Sequence, residues 1–140
     1  MPMEIRPLLR DRLKTDNQLR AQRLVPWPLL NAPFEGSWCV AAPGVSSGAH
    51  GHHEYEIWIA LSGAAEIITE GERVPFVAGD IIHFTPETVH QLVNDSSEDF
   101  EMYSIWWDAD LAGSFAERHR TEPSAAGAAS PDAETGSRSA

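Results

Sequence analysis

The sequence predicts an all-β fold, an antiparallel sandwich or barrel. Seven short segments rich in Val, Ile and aromatic residues follow one another between positions 37 and 107. No helical pattern of about 10–15 residues separates any two of them, which argues against βαβ units. Turn-forming residues mark the breaks. At 140 residues, with 42% hydrophobic content, the chain has the size and apolar material of one domain.

Residues 1–33 read as an N-terminal arm. Leu9, Leu13 and Leu19 lie there among Arg, Asp, Gln and Lys. Pro7 suits a first helical position, and Thr15 or Asp16 suits the cap of a second short helix. The arm is therefore expected to be partly helical, its Leu face laid on the body or on a second subunit. The body spans 34–108. Its strands are expected at 37–42, 55–61, 65–69, 73–78, 80–85, 90–93 and 100–107, bounded by Pro43-Gly44, Ser62-Gly63, Glu70-Gly71, Gly79-Asp80, Pro86 and the run Asn94–Ser97. Glu70-Gly71 reads as a tight hairpin, with glycine supplying the positive φ. A short helix is expected over 109–120, capped by Asp108, with Leu111 and Phe115 on one face. Residues 121–140, built mainly from Ala, Ser, Gly, Pro and Glu, read as a disordered tail or linker. No internal repeat is present.

Charge narrows the partners. Lys and Arg total 10 against 21 Asp and Glu. Residues 1–23 carry six basic and three acidic side chains, whereas Leu24 to Asp108 hold one basic residue, Arg73, against thirteen acids. Such a body repels nucleic-acid backbones, and the basic run in the arm is broken by acids and leucines. No apolar run approaches the ~18 residues of a membrane span. The N-terminus has no apolar h-region, and the single cysteine, Cys39, excludes an intramolecular disulfide, so a cytoplasmic location is expected.

Chemistry concentrates in the histidines, five of which lie between positions 50 and 90. The pattern runs Gly44, His50, His52, Glu56, Gly63, then Gly79, Pro86, His90 and Asn94. Residues i and i+2 on a strand share a face, so His50 and His52 can present imidazoles to one point, and Glu56 keeps their parity. His90 comes from a separate strand pair and can close the site from across the barrel. Three imidazoles and one carboxylate suit a borderline divalent cation: iron, zinc, manganese, nickel or copper. The glycines and Pro86 are expected to be turn residues.

These residues resemble the cupin superfamily, small jelly-roll barrels with a metal site inside. The first cupin motif is matched at Gly44, His50, His52, Glu56 and Gly63, and the second at Gly79, His90 and Asn94. The second departs at Pro86, one residue late, and at Thr88, which stands where a glycine is usual. The resemblance covers residues 38–107. It implies a jelly-roll barrel holding one divalent metal ion on His50, His52, Glu56 and His90, often as a homodimer. It also implies a small polar substrate, and a carboxylate-bearing one is expected because the cation supplies the positive charge that the acidic body lacks. Rearrangement or lyase chemistry with zinc, dioxygenation with iron, and non-catalytic ligand binding all remain open. A narrower likeness lies in residues 25–38 and 99–108, which resemble the flanks of zinc cupin modules in hydrazine synthetases. There a methionyl-tRNA-synthetase-like module makes an ester that the cupin rearranges to form an N–N bond. A separate synthetase-like partner is implied by that likeness.

Other residues take secondary expectations. Trp58, two residues after Glu56, is expected to form a pocket wall, with Trp38 and His83 as further pocket candidates. One of Trp106 and Trp107 should face inward. Tyr103 is a candidate proton donor and Glu54 a candidate for orienting a ligand imidazole. His53 should face away from the site. Cys39 reads as a small core residue. No Ser-His-Asp arrangement or phosphate-binding glycine loop is present, and Lys14, the only lysine, lies outside the expected barrel.

Overall fold

The computed structural model describes residues 3–121. The sequence tail from residue 122 onward lies outside the described residues. The described residues form nine strands and one α-helix: β1 (Lys14–Asp16), β2 (Leu19–Arg23), β3 (Glu35–Ala41), β4 (Tyr55–Ser62), β5 (Ala64–Thr69), β6 (Glu72–Val77), β7 (Ile81–Phe84), β8 (His90–Val93), β9 (Phe100–Trp107) and α1 (Ala109–Thr121). Two compact units result, one ending at Ala109 and one carrying the helix from Asp110.

In the first unit a six-stranded sheet has the order β1-β2-β3-β9-β4-β7, and a three-stranded sheet has the order β6-β5-β8. Every ladder is antiparallel. Inner faces from both sheets meet in a core of Trp58, Ala60 and Met102 from the larger sheet and Ile67, Phe76 and Leu92 from the smaller, with Phe100 and Ile67 wholly buried. Alternation along each strand makes this possible: β4 buries Glu56, Trp58 and Ala60 and turns Tyr55, Ile57 and Ile59 outward. Glycine is needed at Gly63, where φ is +88° and a Cβ would lie 2.5 Å from the Asp99 carbonyl oxygen. The β5–β6 turn is the expected tight hairpin, with Glu70 at φ 50° and Gly71 at φ 80°.

The seven expected strands of the body are all present. The arm differs. Only Arg10–Arg12 form a single 3₁₀ turn, Pro7 begins no helix, and Thr15 and Asp16 lie in β1 rather than capping one. Residues 14–23 instead form a hairpin that adds two strands to the larger sheet, so the barrel starts at Lys14 rather than at residue 34. The cause is local. Asn17 (φ 52°) and Gln18 (φ 70°) make a two-residue turn of the left-handed kind that matches strand twist, and Leu19 and Ala21 alternate as a strand's buried face. Residues before the hairpin cross the outer face of the same sheet. Arg6 donates to the Leu24 and Pro26 carbonyls at 2.9 Å each, Gln22 bonds Leu9 N and the Pro7 carbonyl, and Arg10 pairs with Glu101.

Helix α1 agrees with its expected span and ends one residue later, at Thr121. Asp110 in its first turn and Arg118, His119 and Arg120 in its last oppose the helix dipole. No helix among the described residues is long and apolar enough to cross a membrane.

Candidate metal centre

The site is assembled by a bridge between two segments far apart in sequence. His50 N donates to the His90 carbonyl (3.1 Å) and His90 N donates back to the His50 carbonyl (3.0 Å), which pins the two residues side by side. His52 follows His50 by two residues, and Glu56 reaches the same point from β4. Their nitrogen and carboxylate donor atoms all lie within 4.8 Å of one another, with Glu56 and His90 buried and His50 and His52 partly so.

Each donor is held from behind. The His90 ring stacks on Phe84 (centroids 3.9 Å) and meets Trp58 edge-on at 5.1 Å. His90 Nδ1 donates to the Thr88 carbonyl at 2.8 Å, which fixes its proton there and leaves Nε2 a bare lone pair. That Nε2 is buried without a hydrogen-bond partner and faces Glu56 Oε1 at 3.2 Å. Two acceptors directed at one another in a buried site call for a proton or a metal ion between them, and with His50 and His52 beside them the residues present fit a metal ion. Glu56 Oε2 accepts from Trp58 Nε1 at 2.8 Å, and Oε1 lies 3.0 Å from His52 Nε2. Burial pushes the Glu56 carboxyl upward, but its contacts to the His90 and His52 rings and the Trp58 hydrogen bond outweigh it and hold it below the usual carboxylate range.

Glu54 Oε1 lies 3.2 Å from His52 Nδ1, at ion-pair distance but without hydrogen-bond geometry. His53 is exposed and faces away. His50 Nδ1 lies 3.0 Å from the Asn17 amide and 3.4 Å from the Gly48 carbonyl, leaving Nε2 for an ion. Asn17 was not anticipated from sequence. It sits at the tip of the β1–β2 hairpin, and Gly48 admits it, since a Cβ there would lie 2.6 Å from Asn17 Oδ1. An Asx residue between Asp16 and Leu19 is the signal that marks such a turn.

The centre opens into a cavity of about 350 Å³ whose walls include Asp16, Arg23, Ser37, Cys39, Trp58 and Trp106. Trp106, not Trp107, is the inward tryptophan, and Arg23 lies over its ring at 5.1 Å. Three expected site residues lie elsewhere. Trp38 and Tyr103 face outward, packed edge-to-face at 5.0 Å beside Arg6 and Trp27, because Ser37, Cys39 and Ser104 take the inward positions of β3 and β9. His83 is exposed on the outer face, near-parallel to Tyr55 and Trp107 with centroids 5.6 and 6.3 Å away. The register explains it: Phe84 pairs with Glu56 and turns inward, which sends His83 out. Asn94 is fully buried but structural, donating to the Ala41 and Glu98 carbonyls at 2.8 Å.

A family model described as Cupin domain matches residues 37–106, half of the chain. The chain belongs to the cupin family. A Cupin 2 conserved barrel domain protein from Salinispora arenicola is 63% identical, with a TM-score of 0.75 over 84% of this chain and 98% of that one. The plu4264 protein of Photorhabdus luminescens is 37% identical, with a TM-score of 0.73 over the same shares. A predicted oxalate decarboxylase from Thermotoga maritima, 24% identical with a TM-score of 0.58 over 64% of this chain and 79% of its own, shares the fold alone. None of these bears on the likeness to hydrazine synthetases. Both higher-identity matches cover more of the chain than the family model does.

Proposed function

We propose that this cupin is a metal-dependent enzyme acting on a small, carboxylate-bearing molecule held in the barrel cavity. The observation that supports it best is the facing pair of acceptors, His90 Nε2 and Glu56 Oε1, buried 3.2 Å apart with His50 and His52 beside them. One divalent ion, zinc, iron, manganese or nickel, would be held by these four side chains and would supply Lewis-acid polarisation of a substrate oxygen.

The chain's own residues set the rest. Besides the ligand imidazoles, the ionisable groups on the cavity wall are Asp16, Glu56 and Arg23, with Cys39 held neutral because burial pushes its thiol up to about 11. A net charge of minus one becomes plus one once a divalent ion is bound, which favours a monoanionic ligand. Trp58 and Trp106 exclude water from two sides, and Ser37, Ser104 and the Cys39 thiol offer neutral hydrogen-bonding groups for orientation. With Tyr103 outside and no lysine on the wall, no ordinary side-chain acid stands ready. Rearrangement or lyase chemistry with zinc, or dioxygenation with iron, therefore suits this wall better than acid–base hydrolysis. The enzyme is proposed to be a homodimer, joined through the outer face that carries Tyr55, His83, Trp107 and exposed Ile81.

The test is His90→Ala. Metal content and turnover of small carboxylic acids should be lost together while the far-ultraviolet spectrum stays that of a folded barrel. Retention of one equivalent of metal would show the ligand set to be wrong. Full metal occupancy with no turnover across a broad acid panel would favour a non-catalytic binding protein.

A further inference from the structure

One wall of the barrel is cationic, and it leads outward. Register places Lys14 opposite Ala21, Ala21 opposite Cys39, Asp16 opposite Leu19 and Arg23 opposite Ser37. Lys14, Asp16 and Arg23 thus share the inward face with Ser37 and Cys39, which line the metal cavity. Beside Arg23 a second hollow of about 410 Å³ lies along the hairpin, lined by Arg6, Arg12, Lys14 and Arg23 with Asp16 as its one acid, and by Thr15 and Gln22 from the outer face. The two hollows have Asp16 and Arg23 in common.

The charge there is out of proportion to the chain. Four of its ten cationic side chains border this hollow in a protein of net charge −11. Arg23 is fixed by Asp16 at 2.8 Å, by Glu35 at 3.7 Å and by the Trp106 face. Arg6 is fixed by two carbonyls and lies 5.0 Å over Trp27. Arg12 and Lys14 have no ion pair or side-chain hydrogen bond among the described residues. They supply positive charge that no acid among the described residues pairs with.

We propose that the hollow along the β1–β2 hairpin is an anion-binding ledge adjoining the metal cavity, taking a carboxylate or phosphate group. Resting on the reading of the cavity as a metal-dependent site, the ledge makes the ligand a dianion with its acidic groups far apart. Lys14 stands two strand spacings from Cys39, about 10 Å across the sheet, so an extended molecule can reach both. Arg12 and Lys14 meet its outer acid. The acidic body leaves this side as the entry that attracts an anion, and a polynucleotide would meet that body's repulsion.

The test titrates the metal-free, full-length protein at low salt with pyrophosphate and, separately, with citrate, following backbone amide shifts by NMR. The expected result is saturable shifts confined to residues 12–23 and their strand neighbours. Arg12→Gln/Lys14→Gln should weaken them about tenfold, with affinity for zinc unchanged. Saturation with pyrophosphate alone assigns the ledge to phosphate, and with citrate alone to carboxylate. Unsaturable shifts, or a double variant that binds as the parent does, would overturn the ledge. Anion binding by a parent protein that takes up no zinc would overturn the metal reading and leave the ledge standing.

Discussion

Asn17→Gly separates the chemistry of one side chain from the turn that carries it. Asn17 holds a left-handed φ of 52° and contacts His50 Nδ1 at 3.0 Å and the Gly48 carbonyl at 3.3 Å. Glycine keeps the turn and removes the amide, so His50 loses the partner that orients its ring. Loss of a hydrogen-bond partner behind a ligand imidazole costs about 10–100-fold in metal affinity. At 1.36 kcal/mol per tenfold, that is about 1.4–2.7 kcal/mol. Asn17→Ala should show the same loss of affinity and, in addition, about 1 kcal/mol less folding stability from a Cβ in the left-handed region. For a barrel of this size that lowers the melting temperature of the metal-free protein by about 4–8 °C. Competition against a zinc-responsive dye gives the affinities, and calorimetry of the metal-free proteins gives the stabilities. Zinc affinity in Asn17→Gly equal to that of the parent refutes the reasoning.

Other consequences are simpler to check. Cys39 should be a poor nucleophile, because burial raises its thiol to about 11 from an ordinary 9.0. At pH 8 its thiolate fraction is about 100-fold below that of the unfolded chain, so a disulfide reagent should label native protein about 100-fold more slowly. The native rate should climb tenfold per pH unit until about pH 11, whereas the unfolded rate levels off near pH 9; parallel profiles would contradict the burial argument. Gly63→Ala should destabilise the barrel by roughly 2–4 kcal/mol in urea unfolding, since the new methyl meets the Asp99 carbonyl and φ is +88°. An unchanged midpoint would show that the β4–β5 turn relaxes freely.

The body of the fold could be read from sequence because its strands are short, β-branched and punctuated by Gly, Pro and Asn, each of which restricts the backbone in a known way. The ligand quartet could be read because His50, His52 and Glu56 share strand parity and His90 completes a recognisable pattern. Trp58 came out right for the same reason, its phase being anchored by Glu56. Trp38, Tyr103 and His83 did not. They lie on β3, β9 and β7, where alternation is visible but nothing in the sequence says which phase faces the core. Register with β4 decides it: Phe84 lies beside Glu56 and His83 therefore points outward. The hairpin escaped notice because its turn, Asn17-Gln18, has no glycine and the leucines at 9, 13 and 19 imitate a helical stripe. With it went Asn17, Asp16 and Arg23, a whole wall of the cavity.

X-ray absorption at the zinc edge, on full-length protein loaded with one equivalent, tests the metal centre most directly. Three imidazole shells and one carboxylate oxygen are expected, with no sulfur contribution. Fewer than three imidazoles, or a zinc–sulfur distance implicating Cys39, would contradict the assignment of His50, His52, Glu56 and His90.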